Sequence, residues 1–124
     1  MPKLLIAEDN RMFREILKET IVSSFPSMKI LECEDGRDVI QKVKEHIPDL
    51  IFMDIGLRHE NGLVLTKKIK SLYAHIPVII ITWYDSAEYR VKADDAGADF
   101  FFSKKDIKPG DIISMVNSLL YEGK

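Results

Sequence analysis

The sequence predicts an open, doubly wound α/β domain with a five-stranded parallel sheet, and three observations carry that expectation. Short, apolar, β-rich blocks alternate five times with longer stretches of helical period. Gly36, Pro48, Gly62, Pro77, Gly97 and Pro109 punctuate the junctions between them. A chain of 124 residues has room for one continuous core but not for two.

Taken in order, Lys3–Ala7 reads as the first strand, and Phe13, Ile16, Leu17 and Ile21 mark the apolar stripe of the helix after it. Lys29–Cys33 is the second strand, followed by a helix marked by Val39, Ile40, Val43 and Ile47. Leu50–Asp54 is the third, followed by a stripe of Leu65, Ile69 and Leu72. Val78–Thr82 is the fourth, and the helix after it, about Ser86 to Asp95, carries only Ala87, Val91 and Ala96 as a thin apolar edge among charges. Asp85 and Glu88 have capping-box spacing at its start. Phe100–Ser103 is the last strand, and Ile112, Val116, Leu119 and Leu120 mark the final helix, with Pro109 suited to its first turn. Strands that are apolar on both faces belong to a parallel sheet covered on both sides, and right-handed crossovers then make the flavodoxin-like order 2-1-3-4-5 the common arrangement. The five pairs account for the chain, so one domain over residues 1–124 is expected, with no output domain in it.

Composition removes several classes of function. With 18 basic and 20 acidic residues, the net charge of −2 supplies no general attraction to nucleic acid, so DNA is expected to be reached only through another domain. Cys33 is the sole cysteine; it excludes an intrachain disulfide, and its apolar neighbours suggest a buried, inert thiol. The run Leu4 to Ala7 is far shorter than a signal-peptide core or the roughly 20 residues of a membrane span, so a cytoplasmic protein without membrane association is expected. His46, His59 and His75 lack metal-ligand spacing.

In a sheet of this order the ligand crevice opens at the carboxyl ends of the strands, at the switch point between the first and third. The residues there are Glu8-Asp9-Asn10, Asp54-Ile55-Gly56, Thr82-Trp83-Tyr84 and Lys104-Lys105. Three carboxylates sharing one cleft repel one another unless a cation holds them, and hard oxygen donors favour magnesium or calcium. Asp9 and Asp54 suit direct ligation of magnesium, with Glu8 acting through water. Singly, these residues read as helix caps, a strand-end Thr and solvated charges; together at four strand ends they supply the acidic cage, hydroxyl and ammonium that a metal-bound acyl phosphate requires.

The stretches LLIAEDN, PDLIFMDIGL, IPVIIIT and AGADFFFSK, with Gly62 eight residues after Asp54, resemble the receiver domains of two-component response regulators along essentially the whole chain. That resemblance implies that Glu8 and Asp9 hold Mg2+ and that the Gly56 backbone carbonyl completes the metal shell. It further implies that Asp54 accepts a phosphoryl group from a sensor histidine kinase, that Thr82 and Lys104 contact that group, and that Phe101 is the switching aromatic. The count from Gly97 favours Lys104 over Lys105. Arg58 and Lys105 stand where the family often has proline, and Trp83 where many members have a small residue. TWYDSAEY and NRMFREILK look most like receivers joined to LuxR-type DNA-binding domains, which implies self-association on phosphorylation and control of transcription. The resemblance also places Gly56 and Tyr84 beside the attacking water's approach; Gly56 has no side chain to hold a water and the Tyr84 ring would shield the phosphorus, so slow self-dephosphorylation is expected.

Two other readings use the same residues. An aspartyl-phosphate phosphatase places its nucleophile at the first strand with a second aspartate two residues on, a spacing that Glu8-Asp9-Asn10-Arg11 lacks. A degenerate receiver would act only by docking partners, but here every reactive group is kept.

Overall fold

The computed structural model describes residues 1–122. Five strands, β1 (Lys3–Ala7), β2 (Lys29–Cys33), β3 (Leu50–Met53), β4 (Val78–Thr82) and β5 (Phe100–Ser103), pair in parallel in the order β2-β1-β3-β4-β5. This is the expected order, reversing direction between β1 and β3. The helices are α1 (Arg11–Ser24), α2 (Val39–His46), α3 (Gly62–Leu72), α4 (Ala87–Asp95) and α5 (Pro109–Asn117), and α5 runs on into a wider turn over Ser118–Glu122.

Successive strand side chains alternate between faces, so one sheet feeds two cores. Leu4, Ile6, Leu50, Phe52, Ile79 and Ile81 pack with Leu17 and Ile21 of α1 and Ile112 and Val116 of α5. Leu5, Ala7, Ile51, Met53, Val78 and Ile80 pack with Val39 and Val43 of α2, Leu65 and Ile69 of α3 and Ala93 of α4. Cys33 is buried in the second core, and desolvation raises its thiol to about 11, in keeping with an inert residue.

The helical stripes differ in detail from those read in the sequence. In α1 the buried residues are Arg14, Leu17 and Ile21, whereas Ile16 is exposed, because Arg14 takes the place one helical turn before Leu17. Leu72 and Ile47 are also exposed, each lying at a helix end where the chain turns from the sheet. Helix α4 is anchored as thinly as expected, but by Ala93; Val91 points to solvent. Its cap is Ser86, whose hydroxyl accepts from the Tyr89 N–H, and not the expected Asp85. Asp85 instead accepts a 2.6 Å bond from the Ser103 hydroxyl, a stronger charge-assisted contact that ties the β4–α4 loop to the end of β5. Strand β3 ends at Met53, one residue earlier than read, although the Asp54 N–H still donates to the Ala7 carbonyl at 3.0 Å.

Candidate functional site

The carboxyl ends of β1, β3, β4 and β5 open into a cleft of about 240 Å3 lined by Glu8, Asp9, Asn10, Asp54, Gly56, Trp83, Tyr84 and Lys104. A larger depression of about 540 Å3, lined by Pro2, Pro48, His75, Pro77 and Tyr121 among others, lies at the opposite ends of the strands, away from the acidic cluster. Glu8, Asp54 and Lys104 each stand one residue past the end of their strand, with the N–H still bonded to a neighbouring strand and the side chain in the crevice, whereas Thr82 is the last residue of β4 itself.

Carboxylate oxygens of Glu8, Asp9 and Asp54 lie within 4.8 Å of one another. The Lys104 ammonium is placed between two of them, 2.7 Å from Glu8 Oε1 and 3.1 Å from Asp54 Oδ2. It also sits 4.5 Å from the centroid of the Phe13 ring, a cation–π contact that covers its far side. Lys104 is almost wholly buried and Lys105 is exposed, so the ammonium in the cleft is that of Lys104. Glu8 Oε2 accepts from the Asn10 N–H at 3.0 Å, and Asp54 Oδ1 from the Gly56 N–H at 3.2 Å. Asn10 in turn caps α1 through the Phe13 N–H, fixing the direction in which the chain leaves the acidic pair.

One ammonium does not balance three carboxylates. Burial, and then the neighbouring Asp54 charge, push Glu8 up to about 7 against the lowering effect of Lys104. Such a donor set, all hard oxygen and in excess of its own counter-charge, fits Mg2+. Glu8, Asp9 and Asp54 are the residues that could hold it; the Glu8 and Asp54 carboxylates also carry the Lys104 ammonium.

Thr82 is fully buried, and its hydroxyl accepts from the Tyr84 N–H at 3.2 Å. Tyr84 lies over the cleft: a Cβ built at Gly56 would stand 2.7 Å from its Cε2. Phe101 is not in the cleft. It lies half-buried on the α4 side of β5, packed on the second core, with the Arg90 guanidinium 4.6 Å from its ring centroid. Position 62 requires glycine, because a Cβ there would overlap the Asp54 carbonyl and lie 2.8 Å from Ile55 Cα.

Sequence reasoning missed Arg14, which is buried and donates to the Glu8 carbonyl at 2.8 Å, and the Asp85–Ser103 bond. The first left a trace: a charged residue three before Leu17 and seven before Ile21 falls on the apolar stripe. The second left none, since both residues are ordinary polar groups 18 apart.

The family model described as the response regulator receiver domain matches residues 4–117. The transcriptional regulatory protein PhoP of Escherichia coli is 31% identical over 102 residues, 82% of this chain and 45% of that protein. The chain thus spans less than half the length of the curated relative it matches. Among solved structures, the N-terminal domain of an uncharacterized protein from Wolinella succinogenes is 29% identical with a TM-score of 0.87, covering 99% of this chain and 97% of that one. A LuxR-family DNA-binding response regulator from Staphylococcus aureus superposes with a TM-score of 0.86 at 24% identity, covering 96% and 98%, a likeness of fold.

Proposed function

Since the chain belongs to the response regulator receiver family, we propose that it is a phosphorylation-activated switch in which Asp54 accepts a phosphoryl group from the phosphohistidine of a sensor histidine kinase. The observation that supports this most is the placement of Asp54: one carboxylate oxygen rests on the Lys104 ammonium and the other on the Gly56 N–H, beside Glu8 and Asp9.

The residues divide the work as follows. A carboxylate oxygen of Asp54 forms the new O–P bond as the P–N bond breaks, and the electron pair leaves with the imidazole. Lys104 neutralises charge on a phosphoryl oxygen, and its fixed position between Glu8 and Asp54 means that little reorganisation is needed. Mg2+ held by Asp9, Asp54 and the Gly56 carbonyl, with Glu8 through water, would neutralise the remaining charge. The Thr82 hydroxyl accepts from its own loop, which leaves its proton to donate to the new anion. Drawing Thr82 toward Asp54 strains the Asp85–Ser103 bond at the other end of that loop and opens space beneath α4, into which Phe101 turns. Thin anchoring of α4 by Ala93 keeps the cost of that rearrangement low. The face of α4, β5 and α5 then changes shape for self-association or for an output, with transcription the proposed outcome through a DNA-binding domain outside residues 1–124.

Intact mass after incubation with acetyl phosphate and Mg2+ tests the assignment: one added phosphoryl group is expected, and none in the presence of a chelator. Asp9→Ala is expected to weaken Mg2+ binding by at least about tenfold and to suppress the mass gain equally. Calorimetric titrations that coincide for wild type and variant would remove Asp9 from the site.

The lifetime of the acyl phosphate follows from the Tyr84 ring lying against Gly56. The ring shields the side from which water approaches, and Gly56 offers nothing to hold that water. Combining Gly56→Asn with Tyr84→Ala supplies a water ligand and removes the ring that an Asn at 56 would strike. Decay of the phosphorylated mass is expected to quicken roughly tenfold, below the 10²-fold start of a positioned general base; an unchanged decay would relieve both residues of this role.

A further inference from the structure

Arg14 and Lys104 are the buried cations among the described residues, and the phosphoryl chemistry above uses only Lys104. Arg14 occupies the sheet-facing stripe of α1 with Leu17 and Ile21, where an aliphatic side chain would serve packing alone. Each of its three nitrogens faces an oxygen: Nη1 donates to the Glu8 carbonyl at 2.8 Å, Nε to Glu32 Oε1 at 3.2 Å, and Nη2 stands 3.6 Å from Glu34 Oε2. The two glutamates come from the end of β2 and the residue after it, so Arg14 bridges α1, β2 and the turn that carries the acidic pair.

The Glu8 carbonyl stands where the β1 ladder runs out. The last ladder bonds there are from the Glu8 N–H to the Cys33 carbonyl and from the Asp54 N–H to the Ala7 carbonyl, both 3.0 Å. Past them the Glu8–Asp9 peptide is held by Arg14 at its oxygen and, one residue further, by the Asn10 N–H on Glu8 Oε2. The peptide unit is planar, so fixing the Glu8 oxygen also fixes the plane that leads to the Asp9 Cα.

We infer that Arg14 is a positioning residue for the cation site: by holding the Glu8–Asp9 peptide through the Glu8 carbonyl, it keeps the Asp9 and Glu8 carboxylates turned toward Asp54. The inference rests on the acidic cleft being a magnesium site. It makes a claim opposite in sign to plain electrostatics. Removing a cation beside three carboxylates strengthens their attraction for a dication, whereas releasing the peptide weakens the site.

The test is a titration with magnesium chloride alone, read by the fluorescence of Trp83, the sole tryptophan, which lines the cleft. Wild type, Arg14→Met and Arg14→Lys are compared, each also unfolded in urea without magnesium to separate stability from affinity. Arg14→Met leaves Glu32 paired with Lys18 at 3.2 Å, so it strands no carboxylate there. Its magnesium affinity is expected to fall about tenfold, the lower end for a partner that orients a metal ligand. Arg14→Lys keeps the charge but lacks the fork, and a smaller fall is expected; it decides the matter should the Met variant not fold. Affinity that is unchanged or tighter in the folded variants, beside normal wild-type binding, overturns the inference alone, whatever the urea midpoints show. Absence of a magnesium response in wild type overturns the metal-site reading, and the inference with it.

Discussion

Asp54→Asn is expected to abolish phosphorylation by acetyl phosphate and by a kinase phosphohistidine while leaving the domain folded. The amide has no anionic oxygen to attack phosphorus, so the position between the Lys104 ammonium and the Gly56 N–H loses its nucleophile. Stability should hold or rise. Burial first, and then the Asp54 charge, push Glu8 upward, so removing that charge relieves a repulsion between two buried carboxylates. Lys104 keeps its 2.7 Å contact with Glu8, and the amide oxygen at 54 can still accept from the Gly56 N–H. Intact mass and a urea titration in magnesium-free buffer check the two halves separately. Undiminished labelling of the variant would transfer the acceptor role elsewhere, and a large loss of stability would mean that the acidic cluster holds the fold together.

Gly62→Ala is expected to destabilise the domain by about 3 kcal/mol, at the upper end for overpacking, although it adds one methyl group at the start of a helix. At an open helix position the same change would stabilise by a fraction of a kcal/mol. Here the added carbon would overlap the Asp54 carbonyl and crowd Ile55 Cα, both backbone, so no side chain can swing away to relieve it. The Gly62 N–H also donates to the Ile55 carbonyl at 2.9 Å, which ties the start of α3 to the loop after Asp54. Any relaxation must therefore displace Asp54 itself. The surviving folded fraction should show slowed phosphorylation as well as a lowered urea midpoint. Gly110→Ala, which meets nothing within 4 Å, is the matching control.

Much of this was legible in the sequence because burial in a parallel sheet is a local pattern. Short, β-rich apolar runs such as Leu50 to Met53 and Val78 to Ile81 read as strands covered on both faces, and the first polar residue after each run falls at or just past the strand end. From that pattern came the topology and the placement of Glu8, Asp9, Asp54, Thr82 and Lys104 at the carboxyl ends of the strands. The thin anchoring of α4 was equally visible, since a helix of that composition has no apolar face to bury.

What only the tertiary structure decided are the pairings between polar atoms far apart in the chain. Asp85 had the spacing of a capping residue, yet the Ser103 hydroxyl, brought within 2.6 Å by the β4–β5 pairing, offered a shorter bond. Lys104 reaches Asp54 across 50 residues, and the Tyr84 ring lies against Gly56 from the loop after a different strand. Arg14 falls inside an apolar stripe, and only the fold shows the Glu8 carbonyl that it meets where the strand ladder ends. The physical reason is the same throughout. Apolar burial is non-directional and leaves a periodic trace along the chain, whereas a hydrogen bond or ion pair is directional and is settled by which atoms the folded backbone brings within about 3 Å.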